Sequence, residues 1–164
     1  MSLDINLRNT RAIGEFAARL GQCSLPATYR VEAGELPVVQ VSQNFAEMAG
    51  QLRQLLRNLL RKEALTPDRI VVLAPYRHTN PQSGWAAGLD EFPVTTEMVN
   101  PPPGHVRVGT IQGFKGLEAD VAILAGIDGP ASKHHETLYV GASRARGALY
   151  VLALEKAGLD LIAV

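Results

Sequence analysis

The side chains able to do chemistry are few, and most are arginines. Twelve Arg outnumber four Lys in a chain of 164 residues, and 16 acidic residues bring the formal net charge to zero. A guanidinium offers planar, paired donors that suit bidentate contact with phosphate oxygens, although it also serves in ordinary surface ion pairs. Other chemistries are poorly provided for. Cys23 is the single cysteine, which excludes an intramolecular disulfide and argues against a zinc cluster. His134 and His135 are adjacent, so in a helix they point about 100° apart and make a poor metal pair. Ser143 lacks the Gly-x-Ser-x-Gly elbow of a hydrolase nucleophile. No segment has the Gly-x-x-x-x-Gly-Lys-Ser/Thr form that cradles phosphates; Gly113-Phe114-Lys115-Gly116 has the residue types without the pattern. Asp128 follows the apolar run 121–127, where a metal-binding acid of a nucleotide hydrolase would stand, but no second acid comes after it, and it reads as a turn residue. The chain cannot assemble a complete nucleotide-hydrolysis site by itself.

Three segments remain: Arg8 within Asn6-Leu7-Arg8-Asn9-Thr10, the stretch from Thr110 to Glu118, and Arg144 near the end of Tyr139–Arg146. The elements that must position them follow from periodicity. Ile13, Phe16, Ala17 and Leu20 predict a helix over 6–20 preceded by a turn. Residues 21–34 read as irregular, punctuated by Pro26 and Gly34, and 36–42 as a short strand. Asn44 with Glu47 resembles a capping box, and Phe45, Met48, Ala49, Leu52, Leu55, Leu56, Leu59 and Leu60 form one apolar stripe behind it. Ile70 to Ala74 is a continuous apolar run, the mark of a strand buried on both faces of a parallel sheet. Residues 78–104 read as loop-rich, beginning at His78 and carrying Pro81, with Trp85 and Phe92 tucking the segment down. Strands are expected at 106–110, 121–127 and 149–154, with a helix over 134–145. Thr110, Gln112 and Lys115 then lie in a strand-to-strand connection near strand ends, where α/β sheets bind ligands.

This alternation predicts an α/β fold with a mainly parallel sheet and helices on its faces. A composition 46% hydrophobic and 20% charged suits one globular domain over 1–164. No apolar run approaches the roughly twenty residues of a membrane span, and the start lacks signal-peptide regions. A reducing cytoplasmic setting is expected. The balanced charge argues against tight nucleic-acid binding by this chain alone.

Taken in order, the three segments resemble the second RecA-like motor domain of UvrD/Rep-type superfamily 1 DNA helicases. Thr-Ile-Gln-Gly-Phe-Lys-Gly-Leu-Glu-Ala-Asp-Val-Ala-Ile-Leu, from Thr110, looks like helicase motif V. Leu-Tyr-Val-Gly-Ala-Ser-Arg-Ala-Arg-Gly-Ala-Leu-Tyr-Val-Leu, from Leu138, looks like motif VI and its following strand. Leu3 to Ile13 looks like motif IV, and Ile70 to Arg77 resembles the strand after it. The likeness spans about residues 3–154 and implies a RecA-like sheet without its own Walker A motif. It also implies roles. Arg8 and Arg144 would reach the γ-phosphate of ATP bound, with Mg2+, mainly on a first motor domain. Glu118, with Gly116 beside it, would meet the nucleotide, the carboxylate on the ribose. Thr110 and Gln112 would contact the backbone of single-stranded DNA, and Lys115 would face phosphate or hold the turn. No metal ligand is implied within this chain.

The pattern also departs from the family. Leu7 stands where an aromatic residue often stacks on adenine, Gln112 where His is common, and Ala142-Ser143 where Leu-Thr is common. Only about thirty residues separate Arg77 from the motif V segment, which leaves no room for the large inserted subdomain of UvrD and Rep. The first motor domain is not within these residues. The parent is thus expected to be an ATP-dependent helicase or translocase, of a DNA-repair class. The alternative is a helicase-derived docking module that drives no motor. A third reading is a nuclease-linked helicase with its nuclease on another segment.

Overall fold

The computed structural model describes residues 5–25, 28–32, 34–77, 79–80 and 83–159. Leu3, Pro26, His78 and Pro81, used above as boundaries and punctuation, lie outside the described residues, as does the side chain of Leu7. In chain order the elements are β1 (Ile5–Thr10), α1 (Arg11–Gly21), β2 (Thr28–Val31), β3 (Val38–Ser42), α2 (Phe45–Arg57), β4 (Ile70–Ala74), β5 (Val94–Thr95), β6 (Val106–Thr110), β7 (Ala119–Ile127), α3 (His135–Ala142) and β8 (Ala145–Leu154). Six strands form one sheet in the order β3-β8-β7-β4-β6-β5, and every neighbouring pair is parallel. Strands β1 and β2 make a separate parallel pair. Among the described residues no helix is long and apolar enough to cross a membrane.

Helices cover both faces, and the strands show why. Along β4, Val71 and Leu73 enter the core shared with Ile13, Phe16 and Leu20 of α1 and Leu138 of α3. Ile70, Val72 and Ala74 enter the opposite core with Met48, Leu52 and Leu56 of α2. A two-residue period with both sets apolar is what a central parallel strand requires. Each large side chain fully buried this way stabilises the fold by roughly 1.5–3 kcal/mol. The second core also takes Trp85, from a 3₁₀ segment at Gly84–Leu89 lying along α2. Gly126 permits that approach: it has φ +73, and a Cβ there would stand 2.4 Å from Trp85 Nε1. It lies where the β7–β8 register slips, between Leu124 and Ile127.

The capping of α2 agrees with its sequence. Asn44 Oδ1 accepts from Glu47 N at 2.8 Å, and Glu47 Oε2 accepts from Gln43 N at 2.8 Å. Two otherwise unpaired donors are satisfied reciprocally. The helix then loosens into a π-helical turn at Asn58–Lys62. Asp128 is a turn residue, its Oδ1 accepting from Ala131 N at 2.8 Å.

Four element readings need correction. Residues 6–10 are strand, not helix; α1 starts at Arg11, capped by Thr10, whose Oγ1 accepts from Ile13 N at 3.4 Å. The stretch 21–34, read as irregular, contains β2. The third helix ends at Ala142 rather than 145, and the last strand begins at Ala145 rather than 149, because Ala145 pairs with Ala119 at the start of β7. The loop-rich connection 78–104 is tucked down by Trp85 and Phe92 as expected, and it also holds the two-residue strand β5 and the 3₁₀ segment against α2. In each case a long-range pairing or contact outweighs local pattern.

Candidate functional site

The arginine corner forms at the amino-terminal edge of the sheet. Glu118 and Arg144 directly precede β7 and β8, whose first paired residues are Ala119 and Ala145. Strand β1 joins them through Asn9. That side chain is 3% exposed, and its Nδ2 donates to Ser143 O at 2.9 Å and Ala145 O at 2.6 Å. An amide with two N–H groups can hold two carbonyls at once, and here it clips β1 to the turn before β8. Arg8, one residue earlier, is thereby brought to Glu118: Nε and Oε1 are 2.7 Å apart. Two residues named from distant segments therefore meet, and sequence reasoning missed the residue that joins them. The polar run Asn6–Thr10 gave no pattern that marks Asn9 as buried.

Arg144 lies beside this pair. Its Nε donates to Val140 O at 3.0 Å, Nη1 to Leu117 O at 3.4 Å and Nη2 to Ser143 Oγ at 3.3 Å. Only 8% of the residue is exposed, so it folds back on its own domain rather than extending. No carboxylate lies within ion-pair distance of it among the described residues. Burial first, then the like charge of Arg8, holds its pKa below the usual guanidinium range, with Glu118 and Tyr139 opposing. A guanidinium carries five N–H groups, and three are used. The two contacts through Nη atoms exceed the usual 2.7–3.2 Å of a good N–H···O bond.

The corner continues as a chain of alternating charges. Arg146 Nε stands 3.8 Å from both Glu118 Oε2 and Asp120 Oδ1, and Asp120 Oδ2 receives Arg69 Nε at 2.8 Å. Arg69 immediately precedes β4, so all these groups share the amino edge.

The other candidates lie elsewhere. Thr110 ends β6, level with Ala74 at the end of β4, at the carboxyl edge. Its Oγ1 accepts from Gly113 N at 3.0 Å, which shapes the 3₁₀ turn Gln112–Phe114. Gln112 and Lys115 are exposed on that connection. Gly116 is exposed with φ +88, a backbone conformation that side chains other than glycine's rarely adopt. Thr110, Gln112 and Lys115 thus lie in a strand-to-strand connection at a strand end, as expected, and residues 111–118 lead from that carboxyl edge to Glu118 at the amino edge. This connection is pinned from beneath, with Ile111 and Phe114 buried in the α1–α3 core.

A parallel six-stranded sheet covered by helices on both faces is an α/β fold of the RecA-like kind. Residues 105–152 match the family model described as UvrD-like helicase C-terminal domain, spanning the Thr110 and Leu138 blocks. The fold is similar to the crystal structure of the C-terminal domain of a possible DNA helicase from Lactobacillus plantarum WCFS1. That likeness has a TM-score of 0.68 and 22% identity, and covers 90% of this chain and 87% of the other. No curated protein matches the chain.

Proposed function

We propose that this chain works as the C-terminal motor domain of an ATP-dependent superfamily 1 DNA helicase or translocase, beside a nucleotide-binding motor domain of the same parent in the cytoplasm. The observation that supports this most is the convergence of Arg8, Glu118 and Arg144 on one corner through the Asn9 clip. ATP would supply the γ-phosphoryl group, whose transfer leaves charge on its oxygens. Arg144 would give up its two long contacts and stabilise that charge bidentately, and Arg8 would exchange the Glu118 carboxylate for phosphate oxygen. Glu118, so released, could accept from a ribose hydroxyl. The residues fit an anion: the corner gathers Arg8, Arg69, Arg144 and Arg146 against Glu118 and Asp120. Mg2+ would be held by the partner domain. Thr110, Gln112 and Lys115 would form part of the single-stranded DNA track.

The test is ATP turnover by the purified chain, with and without single-stranded DNA, and by the chain joined to the P-loop domain encoded upstream. No turnover alone and DNA-stimulated turnover when joined supports the reading. Helicase-like turnover by the chain alone, or an upstream frame without a P-loop domain, overturns it and favours the docking module.

A further inference from the structure

Arg107 is a buried cation that the proposed site does not use. It lies in β6, where Val106 and Val108 point into the α2-side core, so Arg107 points to the opposite face. Besides its neighbouring strands, β6 contacts the turns at Pro67–Arg69 and Gln112–Phe114. The residue is 9% exposed, its Nη1 donates to Met98 O at 3.0 Å and its Nη2 to Asp68 O at 3.3 Å. Its guanidinium carbon stands 5.1 Å from the centre of the Phe114 ring, and its buried Nε has no hydrogen-bond partner among the described residues. Burial lowers its pKa, while the fields of Asp68 and Asp120 oppose this.

An apolar side chain of similar volume would fill this place without the cost of burying a charge. What the guanidinium adds is direction. It fixes the turn before β4, the connection before β6 and the ring of Phe114 to one another. Phe114 in turn sets the path to Arg144: Phe114 O accepts from Leu117 N at 3.0 Å, and Leu117 O accepts from Arg144 Nη1 at 3.4 Å. The same ring anchors the turn that displays Gln112, with Lys115 next along the chain. We infer that Arg107 is a positioning residue: through Phe114 and Leu117 it sets the geometry of Arg144 and couples it to the Gln112–Lys115 turn. The functional consequence rests on the proposed role of Arg144; the geometric one does not.

The test follows the Arg144 Nε–H in the purified chain by nuclear magnetic resonance, under conditions where the fold is intact. Arg107→Met keeps the packing and removes the donors. It should speed exchange of the Arg144 Nε–H by about tenfold or more, while the side-chain amide of Asn9 stays protected. Arg107→Lys, which keeps a charge and donors, should restore most of the protection. A lower melting temperature with unchanged Arg144 exchange would make Arg107 a stability residue only and overturn the inference. Should Arg107→Met fail to fold, Phe114→Leu carries the same test, since it keeps apolar bulk and removes the ring; unchanged Arg144 exchange there overturns the inference equally. The exchange experiment needs no nucleotide, so its failure is separable from failure of the helicase reading.

Discussion

Two groups of arginine and carboxylate lie on this molecule, and they are built differently. On the outer side of α2, Arg53 and Arg57 both reach Glu91, Arg57 by two hydrogen bonds. The side chains are about a third exposed, as those of Arg8 and Glu118 are, and the hydrogen bond from Arg57 holds Glu91 below the ordinary carboxylate range. At the amino edge, Arg8 has Glu118, but Arg144 has two backbone carbonyls and a hydroxyl. The first group closes on itself and joins α2 to the segment after Leu89. The second leaves an ion pair beside a guanidinium that, among the described residues, no carboxylate reaches within ion-pair distance. Arginine count alone does not distinguish the two groups; the partners of each guanidinium and its place on the sheet edge do.

The largest expected effect breaks that contrast directly. In the chain joined to its P-loop partner, Arg144→Ala should lower ATP turnover by about 10³–10⁵, the range typical of an arginine acting on a transferring phosphoryl group. Arg57→Ala should leave steady-state turnover within about twofold, because an exposed pair contributes little even to stability. Next comes the clip. Asn9→Ala leaves two buried carbonyls without their donor and should cost about 2 kcal/mol or more in urea unfolding. It should also loosen the Arg8–Glu118 pair, seen as loss of protection at the Arg8 side chain. The cap of α2 is a smaller matter: Asn44→Ala should cost about 1 kcal/mol in the same assay.

The smallest effect concerns Glu91. A carboxylate whose folded pKa is lowered adds stability that is present above its unfolded value and lost as pH falls through the folded value. The difference in melting temperature between the wild type and Glu91→Gln should therefore be small at neutral pH, shrink in high salt and vanish in acid. A difference that grows on acidification would assign the wrong sign to this pair.

Much of the scaffold was legible because its signals are local. The stripe of α2, the Asn44 cap and the apolar run of β4 each state their own element. What escaped depends on residues far away. Strand β1 carries no local signal of its own, since its pairing with β2 and the reach of Asn9 to Ser143 and Ala145 show why it is extended. Strand β8 starts early because Ala119 lies beside Ala145. The site was legible through resemblance to a helicase family rather than through spacing, which cannot place Arg8 near residue 118. Arg107 was invisible for the opposite reason: it sits among valines in an alternating strand, where a polar residue normally faces water.

The most direct measurement is a titration of the purified chain with inorganic tripolyphosphate, following the Nε–H resonances of Arg8, Arg144 and Arg57. Arg8 and Arg144 should shift together and saturably while Arg57 stays close to its starting position. A common midpoint for all three, or a response at Arg8 without one at Arg144, would contradict this.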